Sequence, residues 1–378
     1  MDGRKILDYR DATIELSRYN ATSIASVHIG STYVVCNIHG EIVTPFPDRP
    51  REGILSFSSA TSSKVTTSNH TNSNTNSKEL DVDICRMLER SIKESDSIDT
   101  ESLCIVSNEK VWHLKCVVSV VDGTGGSIID GCCLAAMGAF RAFRKPEVSA
   151  TTNKVMVSRN SNVGHGTNNG TTTNSNGNID RDGVDIVSVS EVNVYSQDER
   201  ESLPLALHHT PLTVTFGIFK NIAVINTTDT DTNADTNNNA NSNTSTVLLA
   251  DPSGAEELWL DGSISYSVNA HRELCGLHKP GSASLTQELL MLGATLAYDR
   301  AMVLHLLLSE ALVVLDNKCS EEKQVRLEQI RQKQFQLQNN GNSGNNGSGM
   351  NVEVDGSNPL LSWSNLHQSV TSVSANAQ

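Results

Sequence analysis

The sequence predicts an α/β fold, because strand patterns and helix patterns alternate along its 378 residues. The clearest part is a hairpin of two apolar runs, at 103–106 and 111–121, with Asn108-Glu109 as the turn. A Gly-rich turn at Gly125-Gly126-Ser127 then leads into a run of apolar residues at helical spacing. A second apolar helix is predicted after Ser284.

The N-terminal elements precede that hairpin. Strands are predicted at 13–16, 24–29 and 33–43, and Gly30-Ser31 is placed to turn a hairpin between the last two. Apolar residues at helical spacing then define one face of a helix: Leu80, Ile84, Met87, Leu88 and Ile92.

The later elements continue the alternation. The helix after the Gly-rich turn carries Cys133, Leu134, Met137, Phe140 and Phe143, and we expect Pro146 to close it. Further strands are predicted at 184–195, 212–219, 247–250 and 258–268. Ser284 and Gln287 have the spacing of a capping box for a helix with the apolar residues Leu285, Leu289, Leu292, Leu296, Val303, Leu304 and Leu307.

Four polar tracts interrupt these elements, at 61–77, 158–181, 227–246 and 339–357. They are poor in aromatic residues and lack periodicity, so we expect mobile loops or a tail around a folded part of about 270 residues. From residue 321 the chain is charged and Gln-rich, which is typical of an exposed helix or a partner contact; the exposed helix is the favoured interpretation.

Composition limits the function classes. The net charge of −14 excludes a general polyanion binder, so any nucleic-acid path requires a local basic patch. No leader segment and no apolar run of about 20 residues is present, so we expect an intracellular protein that does not cross a membrane. Neither the eight cysteines nor His208-His209 have metal-ligand spacing, which favours reduced, buried thiols and no metal.

Several ordered segments resemble the RNase PH-like ring subunits of the RNA exosome. The segments that carry the resemblance are Asp2-Gly3-Arg4 with Asp8-Tyr9-Arg10, and the ranges 40–57, 88–104, 98–143, 143–149 and 249–281. The resemblance implies an RNase PH-like fold, a βαβ sandwich similar to domain 2 of ribosomal protein S5, in two subdomains. These would be 1–150 with the insert 61–77, and 184–318 with the insert 227–246, separated by a disordered insert at 158–181. A charged, Gln/Asn-rich tail would follow at 319–378.

The resemblance also bears on catalysis. Active members of the family hold inorganic phosphate with an arginine in the turn that matches 126–128, where this chain has Ile128. A guanidinium supplies two parallel donors and a permanent charge to a phosphate dianion, which an apolar side chain cannot. We therefore expect no catalytic residue and no cofactor. From the residues alone, the Gly-rich turn either holds an anion or only changes the chain direction.

Acidic residues follow in the segment 249–261, where the active members of the family carry aspartates. Asp251, Glu256, Glu257 and Asp261 remain acidic, and Ala255 matches one of the aspartates. One interpretation is an active phosphate-dependent or Mg²⁺-dependent 3′-to-5′ exoribonuclease. The favoured alternative is that these acids cap the following turn and helix.

Two groups of basic residues are candidates for RNA contact. Arg49 and Arg51 flank a proline in a loop, and Arg86, Arg90 and Lys93 share one helix face. The family carries basic residues near its RNA channel at the positions matching Arg90 and Lys93. The alternative is a solvated helix face paired with Glu89 and Glu94.

The resemblance therefore predicts a non-catalytic subunit that helps to build the RNA channel of an exosome in the nucleus, nucleolus and cytoplasm. The implied partners are other RNase PH-like subunits in a hexameric ring, RNA-binding cap subunits, a separate hydrolytic nuclease and single-stranded RNA.

Overall fold

The computed structural model describes residues 3–62, 73–158, 184–196, 199–220, 246–281 and 283–342. The predicted inserts 158–181 and 227–246 lie outside these residues except for Ser158 and Thr246, as does the tail from 343 onwards. The chain divides into two compact units, residues 1–320 and residues 321–378. Within the described segments, no helix combines the length and the hydrophobicity needed to traverse a lipid bilayer.

The first sheet has six strands, and its core-facing residues alternate with exposed ones as the sequence predicts. The strands are β1 (Ala12–Tyr19), β2 (Thr22–Ile29), β3 (Thr32–Val43), β4 (Ile54–Thr61), β5 (Cys104–Val106) and β6 (Lys110–Asp122). Their order is β1-β2-β3-β6-β4, with β5 also paired to β6. β4, which the sequence analysis missed, runs parallel to β6. Its Ser-rich sequence has weak strand character, so pairing with a central strand decides its conformation.

Two helices cover the inner face of this sheet. α1 (Ser73–Leu88) continues as a π-helical turn over Glu89–Lys93, and it buries Ile84, Met87, Leu88 and Ile92 as predicted. Because α1 begins at Ser73 and β4 ends at Thr61, the predicted insert 61–77 is too long at both ends.

The helix α2 (Ile128–Ala142) ends earlier than predicted. Phe143 is already extended, with φ −65° and ψ 138°, so the helix stops three residues before Pro146 rather than at it. The next two residues form β7 (Arg144–Lys145), which pairs with β10 (Leu203–Pro204). Phe143 is fully buried, and packing of its ring therefore accompanies the turn out of the helix.

The second half contains a ribbon and a second sheet. β8 (Val148–Ser158) pairs with β9 (Val184–Val194). The sheet β12-β11-β13-β14 consists of β11 (Leu212–Phe219), β12 (Val247–Ala250), β13 (Gly262–Val268) and β14 (Leu274–His278). The predicted strand at 258–268 starts too early, because the short helix α3 (Gly254–Glu257) and a turn occupy the residues before Gly262. β14 was not predicted.

The helix α4 (Gln287–Asn342) begins with a different cap from the predicted one. The Thr286 hydroxyl accepts the Leu289 N–H at 3.4 Å, while Ser284 is exposed two residues earlier, so the Ser284–Gln287 capping box is wrong. The buried stripe consists of Ala297, Ala301, Leu304, Leu308 and Leu315. Leu292 and Val303, predicted within this stripe, are 47% and 53% exposed.

In the second unit, α4 is exposed over residues 321–336, which confirms the predicted exposed helix. Residues 339–342 are helical although a mobile tract was predicted there.

The core of the first unit lies around α2. This helix contacts β2 and β3 on one side and β11 of the second sheet on the other. All eight cysteines are free thiols; Cys36, Cys116, Cys132 and Cys133 are buried, and the other four are partly exposed. The prediction of buried thiols is therefore confirmed for four of them.

Candidate functional site

The Gly-rich turn before α2 meets the loop after β12 in direct backbone contact. Gly126 has a φ of +77°, and a Cβ atom there would lie 2.6 Å from both the Gly254 nitrogen and the Pro252 oxygen. Ser127 and Asp251 also adopt left-handed backbone conformations, with φ of 51° and 47°. Because non-glycine residues rarely adopt this conformation, the surrounding contacts must hold both loops in place.

Asp251 lies at the centre of this junction. Its carboxylate accepts the Arg10 backbone N–H at 2.8 Å, the Arg10 Nε–H at 2.8 Å and the Arg10 Nη2–H at 2.6 Å. The Ser127 hydroxyl donates to it at 2.7 Å, and Arg4 Nη1 donates at 3.3 Å. Burial alone would raise the pKa of Asp251, but the hydrogen bonds from Arg10 and Ser127 lower it below its ordinary value. Asp251 is therefore an ionised, buried anchor for the N-terminal segment.

Glu257 occupies the N-terminus of α2. Its Oε1 atom accepts the Ser127 backbone N–H at 2.8 Å. Burial raises the pKa of Glu257, and the Ser127 hydrogen bond offsets part of this effect. A helix N-terminus attracts anions through its free N–H groups and its dipole. Here the chain places its own carboxyl group where an external anion would otherwise bind.

A further buried acid lies in the first turn of α2. Asp130 accepts the Thr215 backbone N–H at 2.8 Å and the Thr215 hydroxyl at 2.6 Å. Burial raises the pKa of Asp130 to about 7, although the Thr215 hydrogen bonds lower it in part. These contacts fasten α2 to β11 and provide no open carboxylate.

The two remaining acids also have protein partners. Glu256 accepts the Ser253 N–H at 2.9 Å and the Ser253 hydroxyl at 2.8 Å, which completes a capping box for α3. Asp261 accepts the Lys220 N–H at 2.7 Å. The four acids of the segment 249–261 are thus used for capping and ion pairing, as the favoured interpretation predicts. Among the described residues, no cluster of three or more histidines, cysteines or acids has a geometry suited to a metal ion.

Ile128 is the first residue of α2 and is only 7% exposed. Its side chain belongs to the hydrophobic core rather than to an open pocket. The turn and the helix therefore meet a sealed, apolar interior at the position where phosphate would need a cation.

The predicted RNA-contact residues are all exposed, but their recorded contacts differ. Arg49 pairs with Glu52 at 3.3 Å, and Arg86 approaches Asp83 at 3.8 Å. Arg90 lies 3.3 Å from His278 Nδ1 on β14, whereas Lys93 ends the π-helical turn. Arg51 lies in the loop whose Pro50 carbonyl accepts the Asn108 N–H. Ion pairs to Glu89 or Glu94, the alternative considered from the sequence, are not recorded among the described residues.

The sequence analysis gave no role to Arg4, Arg10 or Ser127, which complete the junction. A signal was present: Asp251 directly follows a buried strand, and Asp130 is an acid inside an otherwise apolar helix. Buried carboxylates require partners, so each predicted a basic or hydroxyl group nearby. Which residue supplies that group depends on contacts between residues up to 247 positions apart.

Two family descriptions match this chain. Domain 1 of the 3′ exoribonuclease family matches residues 8–146, and domain 2 matches residues 242–300, together just over half of the chain. The chain therefore belongs to the 3′ exoribonuclease family and has its RNase PH fold.

Individual relatives narrow this class. The chain is 27% identical over 323 residues to "Exosome complex component RRP45A" of Arabidopsis thaliana, with 85% of each chain covered. It is 28% identical over 288 residues to human "Exosome complex component RRP45", covering 76% of this chain and 51% of the relative. This human relative is the polymyositis/scleroderma PM/Scl-75 subunit, whose pattern the segments 40–57 and 249–281 share.

A solved structure shows the same fold. It is described as the Archaeoglobus fulgidus exosome with RNA bound to the active site, and it aligns with a TM-score of 0.54 at 18% identity. The alignment covers 81% of this chain and 91% of the solved chain.

Proposed function

We propose that this chain is a non-catalytic, structural and RNA-channel subunit of an RNA exosome that supports 3′-to-5′ RNA processing and decay. The relatives named as exosome complex components support this assignment. The observation that carries it is the closed junction at the start of α2, where Asp251 and Glu257 fill the space between the two loops.

The charges at this junction oppose phosphate binding. Phosphorolysis needs inorganic phosphate to be held by cationic donors, and Ile128 provides neither a charge nor a hydrogen bond. Arg10, the nearest guanidinium in the junction, is bound to Asp251. An incoming dianion would therefore meet two carboxyl groups at short range.

The alternative function is an active phosphate-dependent or Mg²⁺-dependent exoribonuclease. It requires carboxylates that are open to a metal ion or a substrate. Asp251, Glu256, Glu257 and Asp261 are each occupied by hydrogen-bond donors of the chain, so this alternative is disfavoured.

The proposed assembly is a hexameric ring with other RNase PH-like subunits, joined by RNA-binding cap subunits. A separate hydrolytic nuclease would supply the exoribonuclease activity of the complex, in the nucleus, nucleolus and cytoplasm. No cofactor or metal is assigned to this subunit.

The enzymatic test uses the purified full chain with a single-stranded oligonucleotide, inorganic phosphate and Mg²⁺. We expect no phosphate-dependent release of nucleoside diphosphates, because the anion position is filled from within. The matched control omits phosphate, so that a contaminating hydrolytic nuclease gives the same signal in both reactions. Phosphate-dependent turnover by the isolated chain would overturn the proposed function.

The RNA path is assigned to the exposed basic residues Arg49, Arg51, Arg86, Arg90 and Lys93. On a chain of net charge −14, such a patch is the only way to attract a phosphodiester backbone without repelling it elsewhere. Arg90 and Lys93 are the strongest candidates, since they project from the π-helical turn beside β14.

Arg90→Glu and Lys93→Glu are each expected to weaken RNA binding by the assembled complex regardless of RNA sequence. Each loss of a phosphate contact lowers the slope of log affinity against log salt concentration by about 0.7 for a single strand. Lys78→Glu on α1 is the control, because it makes the same charge change at an exposed position outside the patch. Equal slopes for the three variants and the unmodified chain, measured by salt titration, would contradict the assignment.

A further inference from the structure

The C-terminal end of α2 carries a guanidinium without a counter-charge. Arg141 is half-buried, and no hydrogen bond or ion pair is recorded for it in the described part of the chain. Burial lowers the pKa of Arg141, and no acid opposes this effect. The neighbouring Arg18 and Arg144 differ, because they share Asp316 at 3.0 Å and 3.7 Å. Two cations thus already use the nearest carboxylate.

The end of α2 does not itself explain this arginine. Cations near a helix C-terminus interact with its free carbonyls. Here the Ala139 carbonyl accepts from the Ser23 hydroxyl at 2.8 Å and from the Phe143 N–H at 2.9 Å. The Ala142 carbonyl accepts from Arg18 at 3.4 Å. Arg141 makes none of these capping contacts.

A second unsatisfied group lies beside Arg141 on α4. His305 is only 7% exposed, and its Nε2 atom is buried without a hydrogen-bond partner. Burial, Arg141 and His271 lower its pKa to about 4, so the imidazole is neutral near pH 7. A neutral imidazole with Nε2 protonated has one N–H to donate. Together, Arg141 and His305 offer donors that lack an acceptor.

An exposed apolar stripe starts next to these donors. We define the α4 stripe as Val303, Leu306, Val313 and Val314, which are 53%, 63%, 59% and 67% exposed. The spacing of these residues places them on the outer face of α4, opposite Ala301, Leu304 and Leu308. Leu308 packs near Gly138 of α2, so the end of α2 that carries Arg141 runs alongside this part of α4.

We infer that Arg141, His305 and the α4 stripe form a docking surface for a neighbouring protein subunit that inserts a carboxylate between the two donors. A carboxylate satisfies a guanidinium and an imidazole N–H together, and the partner's apolar side chains would cover the stripe. An RNA phosphodiester fits less well, since four apolar residues and the exposed Glu310 surround the donors. This inference rests on the proposed function, which supplies a neighbouring RNase PH-like subunit as the occupant.

The test compares full-length variants for assembly with RNase PH-like ring subunits, measured by light scattering after size-exclusion chromatography. Arg141→Ala is expected to weaken assembly on the order of 30-fold or more, because the partner's buried carboxylate loses its cation. Leu306→Asp and Val313→Asp are expected to weaken assembly as well. Val82→Asp on α1 and Lys78→Glu are the controls, since both change exposed residues away from this surface.

Thermal melting of each isolated variant separates folding from docking. Arg141 has no recorded partner, so Arg141→Ala is expected to leave the melting temperature unchanged. If Arg141→Ala melts early, Arg141→Lys provides the second readout, because its amine can be joined to a partner carboxylate by a water-soluble carbodiimide. Peptide mapping is expected to find that cross-link, and its absence from the assembled complex would overturn the inference.

The outcomes distinguish the two proposals. If the unmodified chain assembles with no RNase PH-like subunit, the proposed function fails. If the unmodified chain and all variants assemble equally well, the proposed function stands and the docking surface is wrong. Loss of RNA binding without loss of assembly in Arg141→Ala would also overturn the inference, as would a homodimer that depends on Arg141.

Discussion

Asp251→Ala is expected to lower the free energy of unfolding by about 4 kcal/mol, because removing one partner of a buried ion pair leaves the other charge uncompensated. The Asp251 side chain is 6% exposed and that of Arg10 is 11% exposed, so water can replace little of the lost interaction. Alanine also has no side-chain oxygen to accept the Arg10 N–H and the Ser127 hydroxyl. Urea denaturation of the full chain, followed by circular dichroism, measures this loss.

Two comparisons isolate the buried pair. Glu52→Ala removes the exposed Arg49–Glu52 pair, and its expected cost is less than about 0.5 kcal/mol. Acid acts on the same carboxylate: the pKa of Asp251 is lowered in the folded chain, so its contribution is present above its unfolded pKa of about 3.9 and is lost as the pH falls below it. A loss of less than about 1 kcal/mol in Asp251→Ala at pH 7 would contradict the central place of this ion pair.

Gly126→Ala is expected to destabilise the chain by about 3 to 5 kcal/mol, since backbone strain and steric overlap act together. The added Cβ would lie 2.6 Å from the Gly254 nitrogen and the Pro252 oxygen. Both are backbone atoms, which cannot rotate away as a side chain can. Thermal and urea unfolding provide the measurement, and the loops 123–127 and 251–254 are expected to separate first.

Gly3→Ala is the matched control for this substitution. Gly3 has the same φ of +77°, but a Cβ atom there would meet nothing within 4 Å. Its expected cost is therefore only the backbone term, about 1 kcal/mol or less. Similar costs at the two glycines would show that the loops are not in the close contact described here.

Much of the fold follows from local patterns. The strands β1, β2 and β3 and the hairpin of β5 and β6 were predicted because their residues alternate and their turns carry Gly30 or Asn108. β11 was predicted with its observed ends, as an apolar run long enough for a strand and too short for a helix. The elements that were missed, β4 and β14, are edge strands whose sequences have weaker strand patterns.

Boundary errors arose where tertiary contacts override local signals. Pro146 was expected to close α2, yet the buried Phe143 leaves the helix three residues earlier. Residues 258–261 look like part of a strand, but hydrogen bonds from Trp259 and Leu260 back to α3 hold them in a turn. In α4, several leucine faces had similar periodicity, and only contact with α2 and Tyr266 selects the buried one.

By itself, the sequence determined the α/β class, the Gly-rich turn before an apolar helix and the absence of a cation at Ile128, because each depends on residue type and local spacing. Only the tertiary structure decided how the acids of the segment 249–261 are used. Asp251 finds Arg10 at a separation of 241 residues, and Glu257 finds Ser127 at a separation of 130. Local sequence patterns do not specify such pairings, because the chain must fold before a buried carboxylate and its donors share one low-dielectric site.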